Sequence, residues 1–221
     1  MPRERLARSS VVEAAAALLD EVGFDRLTMG LLAERLQVKA PSLYKHVSGQ
    51  ADLTGRIAVL AATELGDALR DATQGVARGD ALAAAARALR TYVREHPGRY
   101  AAASRPTGPA DPQHSARVRL FTSFAAVLSG YRLDPRQEVH ALRMVRGVLS
   151  AFASAEAAGE FQLDVDVDES FAWMITFIDN GLRAAGRSSE RVAAVGGQAR
   201  AGDVAGVLPG EERDQAGDLL R

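Results

Sequence analysis

The stretch Thr28-Met29-Gly30-Leu31-Leu32-Ala33-Glu34-Arg35-Leu36-Gln37-Val38-Lys39-Ala40-Pro41-Ser42-Leu43-Tyr44-Lys45-His46-Val47 decides how this chain folds. Met29, Leu32, Ala33 and Leu36 recur at helical spacing, and the Thr28 hydroxyl before them suits the N-cap of a helix of about two turns. A tight turn follows around Gln37-Val38-Lys39. Pro41 then suits the first turn of another short helix, where its missing N–H would have had no partner, and Ser48-Gly49 closes that helix after Val47. Leu43 and Val47 are expected to point inward, while Lys39, Ser42, Tyr44, Lys45 and His46 offer hydrogen-bond donors outward. With a helix before it, this unit is a helix-turn-helix whose last member suits the major groove of DNA.

Working outward, Leu6, Val11, Ala15, Leu18, Leu19 and Val22 predict a first helix from about Arg5 to Val22, stopped by Gly23. On the other side, Leu53, Ile57, Leu60, Leu65 and Leu69 form the buried stripe of a helix from about Gln50 to Ala72. Asp80 is expected to cap the next helix, which carries Leu82, Ala85, Leu89, Tyr92 and Val93 as far as Pro97-Gly98. Residues 105–112, with prolines at 106, 109 and 112, read as an irregular connector. Helices follow over Gln113–Gly130 and Pro135–Ala158, the latter capped by Asp134. A last one starts near Asp168 with Phe171, Met174, Ile175, Phe177, Ile178 and Leu182. From Gly186 onward large apolar residues thin out, and a loose tail is expected.

Alternating β-branched runs are lacking and aromatics are only 5% of the chain, so the fold class is all-α. A formal net charge of −1 argues against a polycation that coats nucleic acid, so any DNA contact must be local. Without cysteine, disulfides and thiolate metal sites are absent, and the histidines at 46, 96, 114 and 140 lack metal-site spacing. Neither a nucleophile elbow nor a glycine-rich phosphate loop is present, so no enzyme and no cofactor are expected. The charged start Met-Pro-Arg-Glu-Arg is unlike a secretory segment and no apolar run approaches about 18 residues, which points to the cytoplasm and away from membranes.

Through Gly23-Phe24, Leu27-Thr28-Met29, Leu32-Ala33, Leu36, Val38 and Pro41-Ser42-Leu43-Tyr44-Lys45-His46-Val47, the N-terminal fifth to quarter of the chain resembles the TetR family of bacterial repressors. The resemblance implies a helix-turn-helix domain over 1–49, a larger helical effector-binding and dimerisation domain over 50–186, and the tail over 187–221. It also implies that Thr28, Tyr44, Lys45 and His46 touch phosphate while Lys39, Ala40, Pro41 and Ser42 face base edges. At the start of the fourth helix the family commonly has lysine, and this chain has Gln50, which implies a missing or weaker phosphate contact there. The stretch from Leu142-Arg143 through Arg146, Leu149, Phe152, Glu156, Gly159 and Phe161 to Ser170-Phe171 is similar to a TetR subgroup named for a Trp-His-Gly signature, with Ser150-Ala151 standing where its His-Gly pair would be.

A monomer would make few contacts, so a homodimer through the last two helices is expected, reading a palindromic operator in double-stranded DNA at half-sites about one turn apart. Small residues Gly147, Ala151, Ala155 and Gly181 would allow those helices to pack closely. For a small-molecule effector the candidates are Phe121, Phe124, Arg143, Met144, Phe152, Trp173 and Phe177, although such stripes are more often plain core. Either Arg143 or Arg146 can pair with Glu156, Glu160 or an anionic ligand, with interior pairing or plain surface exposure the expected outcome. The expected function is a transcription regulator, a repressor released from its operator by the effector; the alternative is a helical protein-interaction module without effector control.

Overall fold

The computed structural model describes residues 8–105 and 113–200, and these are helical, with no strand among them. In chain order the helices are α1 (Arg8–Val22), α2 (Met29–Arg35), α3 (Ala40–Leu43), α4 (Gln50–Thr73), α5 (Arg78–Glu95), α6 (Pro97–Ser104), α7 (Gln113–Ser129), α8 (Pro135–Ala157) and α9 (Val167–Arg200). The expected start of the first helix at Arg5, most of the connector and residues 201–221 lie outside the described residues.

Apolar side chains gather in two clusters. The smaller joins Val11, Ala15 and Leu19 of α1 to Leu32, Leu43 and Val47, and is completed by Leu53, Ile57 and Ala58 of α4 and Ala102 of α6. The larger is built from the rest of α4, with Ala61, Leu65 and Leu69, against Leu82 and Leu89 of α5, Phe124 and Leu128 of α7, Leu149 of α8, and Phe171 and Ile178 of α9. Helix α4 therefore belongs to both cores, and the N-terminal unit is welded to the rest through it and through α6.

Several ends form as their residues dictate. Gly23 at φ +75° donates its N–H to the Leu19 carbonyl at 2.9 Å and stops α1 in a conformation that costs glycine little. The Asp134 carboxylate accepts from the N–H groups of Arg136 and Gln137, both at 3.0 Å, and starts α8. Asp80, by contrast, is not a cap: α5 begins at Arg78 behind Ala77, leaving Asp80 in its first turn, where a negative charge suits the helix dipole.

Two further differences have physical causes. The Pro97-Gly98 pair ends α5 but also opens α6, because proline is at home in a first turn and the alanines after it favour helix. Nor does the last helix stop at Gly186. That glycine is buried against the Tyr131 carbonyl, where any Cβ would collide with the oxygen, so it serves close packing within a helix that alanine-rich sequence carries on to Arg200. The tail expected from 187 is thus helical as far as Arg200.

Arg90 clasps three helices. Its Nε and Nη2 each lie 2.6 Å from the Glu156 carboxylate on α8, its Nη1 lies 2.6 Å from Asp168 on α9, and its guanidinium covers the Phe171 ring at 4.5 Å. Glu156 is therefore taken, and of the outcomes open to Arg143 and Arg146 the structure shows surface exposure on α8.

Candidate nucleic-acid interface

Thr28 accepts the Leu31 N–H at 3.1 Å through its hydroxyl, so the cap of α2 forms as its sequence requires. Gln37 at φ +53° then reverses the chain, and Val38 donates back to the Ala33 carbonyl at 2.9 Å. On the outside of α2, Arg35 grips Glu21 of α1 in a two-pronged pair at 2.6 and 2.7 Å. Helix α3 is one turn, shorter than the run to Val47 that the sequence suggested; Tyr44, Lys45 and His46 follow on a turn held by the N–H groups of His46 and Val47, both bonded to the Leu43 carbonyl.

Within this unit Leu43 and Val47 are buried, as their pattern demanded. Thr28, Lys39, Pro41, Tyr44 and Lys45 are exposed, and Ala40, Ser42 and His46 half-buried. Tyr44 is 56% exposed, with its ring and hydroxyl open to a partner. Gln50 turns its carboxamide onto the Leu27 carbonyl, tying the start of α4 to the loop before α2.

Behind the unit, α6 meets α1 at backbone distance. A Cβ on Gly98 would lie 2.5 Å from the Leu19 carbonyl carbon and 2.7 Å from the Asp20 nitrogen. Next to it the Arg99 N–H donates to Asp20 Oδ1 at 2.8 Å, and Arg99 Nε stands 2.9 Å from Oδ2, off the line of a hydrogen bond but close enough for an ion pair. Arg99 also reaches Glu64 of α4 at 3.2 Å, and the Tyr92 hydroxyl donates to Glu64 at 2.8 Å. Burial pushes the Asp20 carboxyl up against the pull of the Arg99 N–H. Burial and the neighbouring Glu64 also push the Tyr92 phenol up, so it stays a donor. Sequence alone missed this network, whose members lie far apart in the chain.

The larger core holds a narrow cavity lined by Leu65, Leu89, Tyr100, Phe121, Phe124 and Ser150, with space for about one water. The Tyr100 hydroxyl donates to Ser150 Oγ across it at 2.5 Å, and Arg146 lies over Phe121 at 5.0 Å. Of the ligand candidates, Phe121 and Phe124 thus share one cavity. Arg143, Met144, Phe152, Trp173 and Phe177 are not brought to it: Phe152 packs on Phe161 and Phe171, while the others lie on the outside of α8 and α9. Trp173 and Phe177 stack at 5.4 Å and are 69% and 66% exposed, because positions four apart share a face and this face turns away from the core. Tyr100 escaped notice because α6 itself did.

Among the described residues there is no cluster of three or more potential metal ligands and no helix long and apolar enough to cross a membrane.

Known proteins share this arrangement. Residues 11–56 match the family model described as bacterial regulatory proteins, tetR family, and residues 82–178 match a tetracyclin repressor-like C-terminal domain. An uncharacterised HTH-type transcriptional regulator of Mycobacterium tuberculosis is 37% identical over 180 residues, 80% of this chain and 82% of that protein. The class D tetracycline repressor protein of Escherichia coli is 46% identical over 55 residues, 25% of either chain. Among solved structures, a possible TetR family transcriptional regulator from Streptomyces coelicolor superposes with a TM-score of 0.64 at 25% identity, over 80% of this chain and 99% of that one. BioQ with its double-stranded DNA operator gives 0.60 at 23% identity, over 81% and 99%, a likeness of fold. With a capped helix-turn-helix before a larger helical core, and with relatives that match along both, the chain belongs to the TetR family of DNA-binding transcriptional regulators.

Proposed function

We propose that this chain is a cytoplasmic, dimeric repressor that leaves a palindromic operator when a small molecule enters the larger core. The observation that carries the DNA reading is Tyr44 and Lys45 held out in solvent by a turn whose neighbours Leu43 and Val47 are anchored in the core. On this reading Thr28, Tyr44, Lys45 and His46 meet phosphate, and Lys39, Ala40, Pro41 and Ser42 approach base edges. A second copy covers α8 and α9, where the exposed Met144, Val148, Trp173 and Phe177 surround the small residues Gly147, Ala151 and Gly181.

Release follows from the size of the cavity. An effector larger than a water fits only an arrangement in which the walls have parted, so it binds that arrangement preferentially and shifts the population toward it. Helix α6 faces both ways: Tyr100 and Ala103 line the cavity, while Gly98, Arg99 and Ala102 press on α1 and the smaller core. A tenfold preference for the parted form contributes about 1.4 kcal/mol per site.

Selection of bound DNA from a random pool with the purified protein at low salt tests the proposal, and an enriched palindrome is the expected result. Replacing Tyr44 and Lys45 together by alanine should abolish retention of that DNA with the helical circular dichroism unchanged. A pool that shows no enrichment would end the operator reading.

A further inference from the structure

At the end of α4 opposite the helix-turn-helix, the structure holds a second concavity of about 270 Å³, and arginine dominates its wall. Arg78 comes from the start of α5, Arg132 from the loop between α7 and α8, and Arg183 and Arg187 from one face of α9, four residues apart. Three unrelated segments thus bring four arginines to one cleft. Among the described residues, two carboxylates lie near. Asp179 is occupied, accepting the Tyr131 hydroxyl at 2.6 Å and the Arg183 Nε at 2.7 Å, and Asp80 acts on Tyr131 and Arg183 from the first turn of α5. Among the described residues Arg78 and Arg187 have no carboxylate partner, so positive charge is left in excess.

The cleft is built at some cost to the backbone. Of the non-glycine residues with positive φ, Arg78 at +51° and Arg132 at +56° both line it, and residues held in this region persist when their surroundings impose it. Glycines let the walls approach: a Cβ on Gly79 would meet Arg183 Nη2 at 2.8 Å, and one on Gly186 would run into the Tyr131 carbonyl. Ala77, the residue before α5, supplies no side-chain cap, so the first-turn N–H groups add to the positive potential at the rim.

From this geometry we infer that the cleft binds a compact phosphate-bearing molecule, a diphosphate or a small phosphorylated metabolite, at a site separate from both the DNA-contacting unit and the cavity in the core. Guanidinium forks match phosphoryl oxygens two by two, and the volume lies just below the range that takes drug-sized ligands. Helix α4, with 24 residues, sets the cleft about 36 Å from the helix-turn-helix, too far for its arginines to serve the same DNA.

Titration calorimetry of the full-length protein with pyrophosphate at 150 mM salt tests this. Saturable binding is expected, weakened at least tenfold by Arg187→Gln, a change at an exposed helical position, and unaltered by Arg94→Gln or by Lys45→Ala. Orthophosphate should bind the same site more weakly, through fewer oxygens. Equal binding by wild type and Arg187→Gln, heat no greater than that from matched sodium chloride, or citrate binding as tightly as pyrophosphate would each overturn the assignment.

Discussion

Gly98 offers the sharpest test of how the two cores are joined. In Gly98→Ala the new Cβ would stand 2.5 Å from the Leu19 carbonyl carbon and 2.7 Å from the Asp20 nitrogen, whereas carbon atoms rest comfortably at about 3.5–4.0 Å. Both obstacles are backbone of α1, so α6 must withdraw by about 1 Å. Overpacking of that kind costs about 1–3 kcal/mol. The same movement stretches the 2.8 Å bond from the Arg99 N–H to Asp20, a bond to a charged acceptor worth about 1.5 kcal/mol or more. Alanine returns about 0.5–1 kcal/mol through its better helix propensity, which leaves a net loss of about 2 kcal/mol. For a chain of this length that is a fall in Tm of about 4–8 °C, measured by thermal unfolding followed by circular dichroism. Gly66→Ala is the matched control, because nothing lies within 4 Å of a Cβ there and the same propensity gain should raise Tm slightly. Equal melting of the two variants would refute the close approach of α6 to α1.

Asp52, held below the usual carboxylate range chiefly by the Ser48 N–H and then by Arg56, makes a contribution that is complete above a pH of about 4 and fades as acid protonates it in the folded state. Asp52→Asn should therefore cost about 1 kcal/mol at pH 7 by chemical denaturation and progressively less below pH 4; a constant difference across that range would contradict the assignment. Arg90→Ala, which takes two charge-assisted hydrogen bonds from the half-buried Glu156 and leaves it only Arg94 at 3.8 Å, should lower stability by about 2 kcal/mol in the same measurement, with Arg90→Lys intermediate because lysine lacks the fork. Trp173→Arg with Phe177→Arg should convert the dimer to a monomer in light scattering and weaken operator binding, while the exposed positions leave the fold of each copy intact. A dimer that survived both changes would place the two-fold contact elsewhere.

Local chemistry was the legible part of this chain. Thr28, Gly23 and Asp134 act on groups within four residues of themselves, and each forms the cap or stop that its side chain or its lack of one implies. Leu43 and Val47 could be placed inside because Lys45 and Tyr44 beside them are better solvated outside. What escaped were decisions made across the fold. Arg90 and Glu156 are 66 positions apart, and nothing near Glu156 announces that its partner comes from α5 rather than from Arg143 on its own helix. On α9, Phe171 and Ile178 turn inward while Trp173 and Phe177 turn out, a choice set by where α8 and α5 lie and not by hydrophobicity, since all four are apolar. Helix α6 was hidden because proline and glycine mark the end of one helix and the start of another with equal force. Gly186 misled for a related reason, as a glycine needed for contact looks like one needed for a turn.

That α4 is shared by both cores has a mechanical consequence. A continuous helix of 24 residues is a rod about 36 Å long, gripped near one end by Leu53 and Ile57 and toward the other by Leu65 and Leu69. Tilting such a rod by only about 5° about its far end displaces the near end by about 3 Å, close to the rise of one base pair at about 3.4 Å. On the release mechanism proposed above, a shift of about 1 Å at Leu65, about 12 Å from the far end, becomes about 3 Å at the helix-turn-helix.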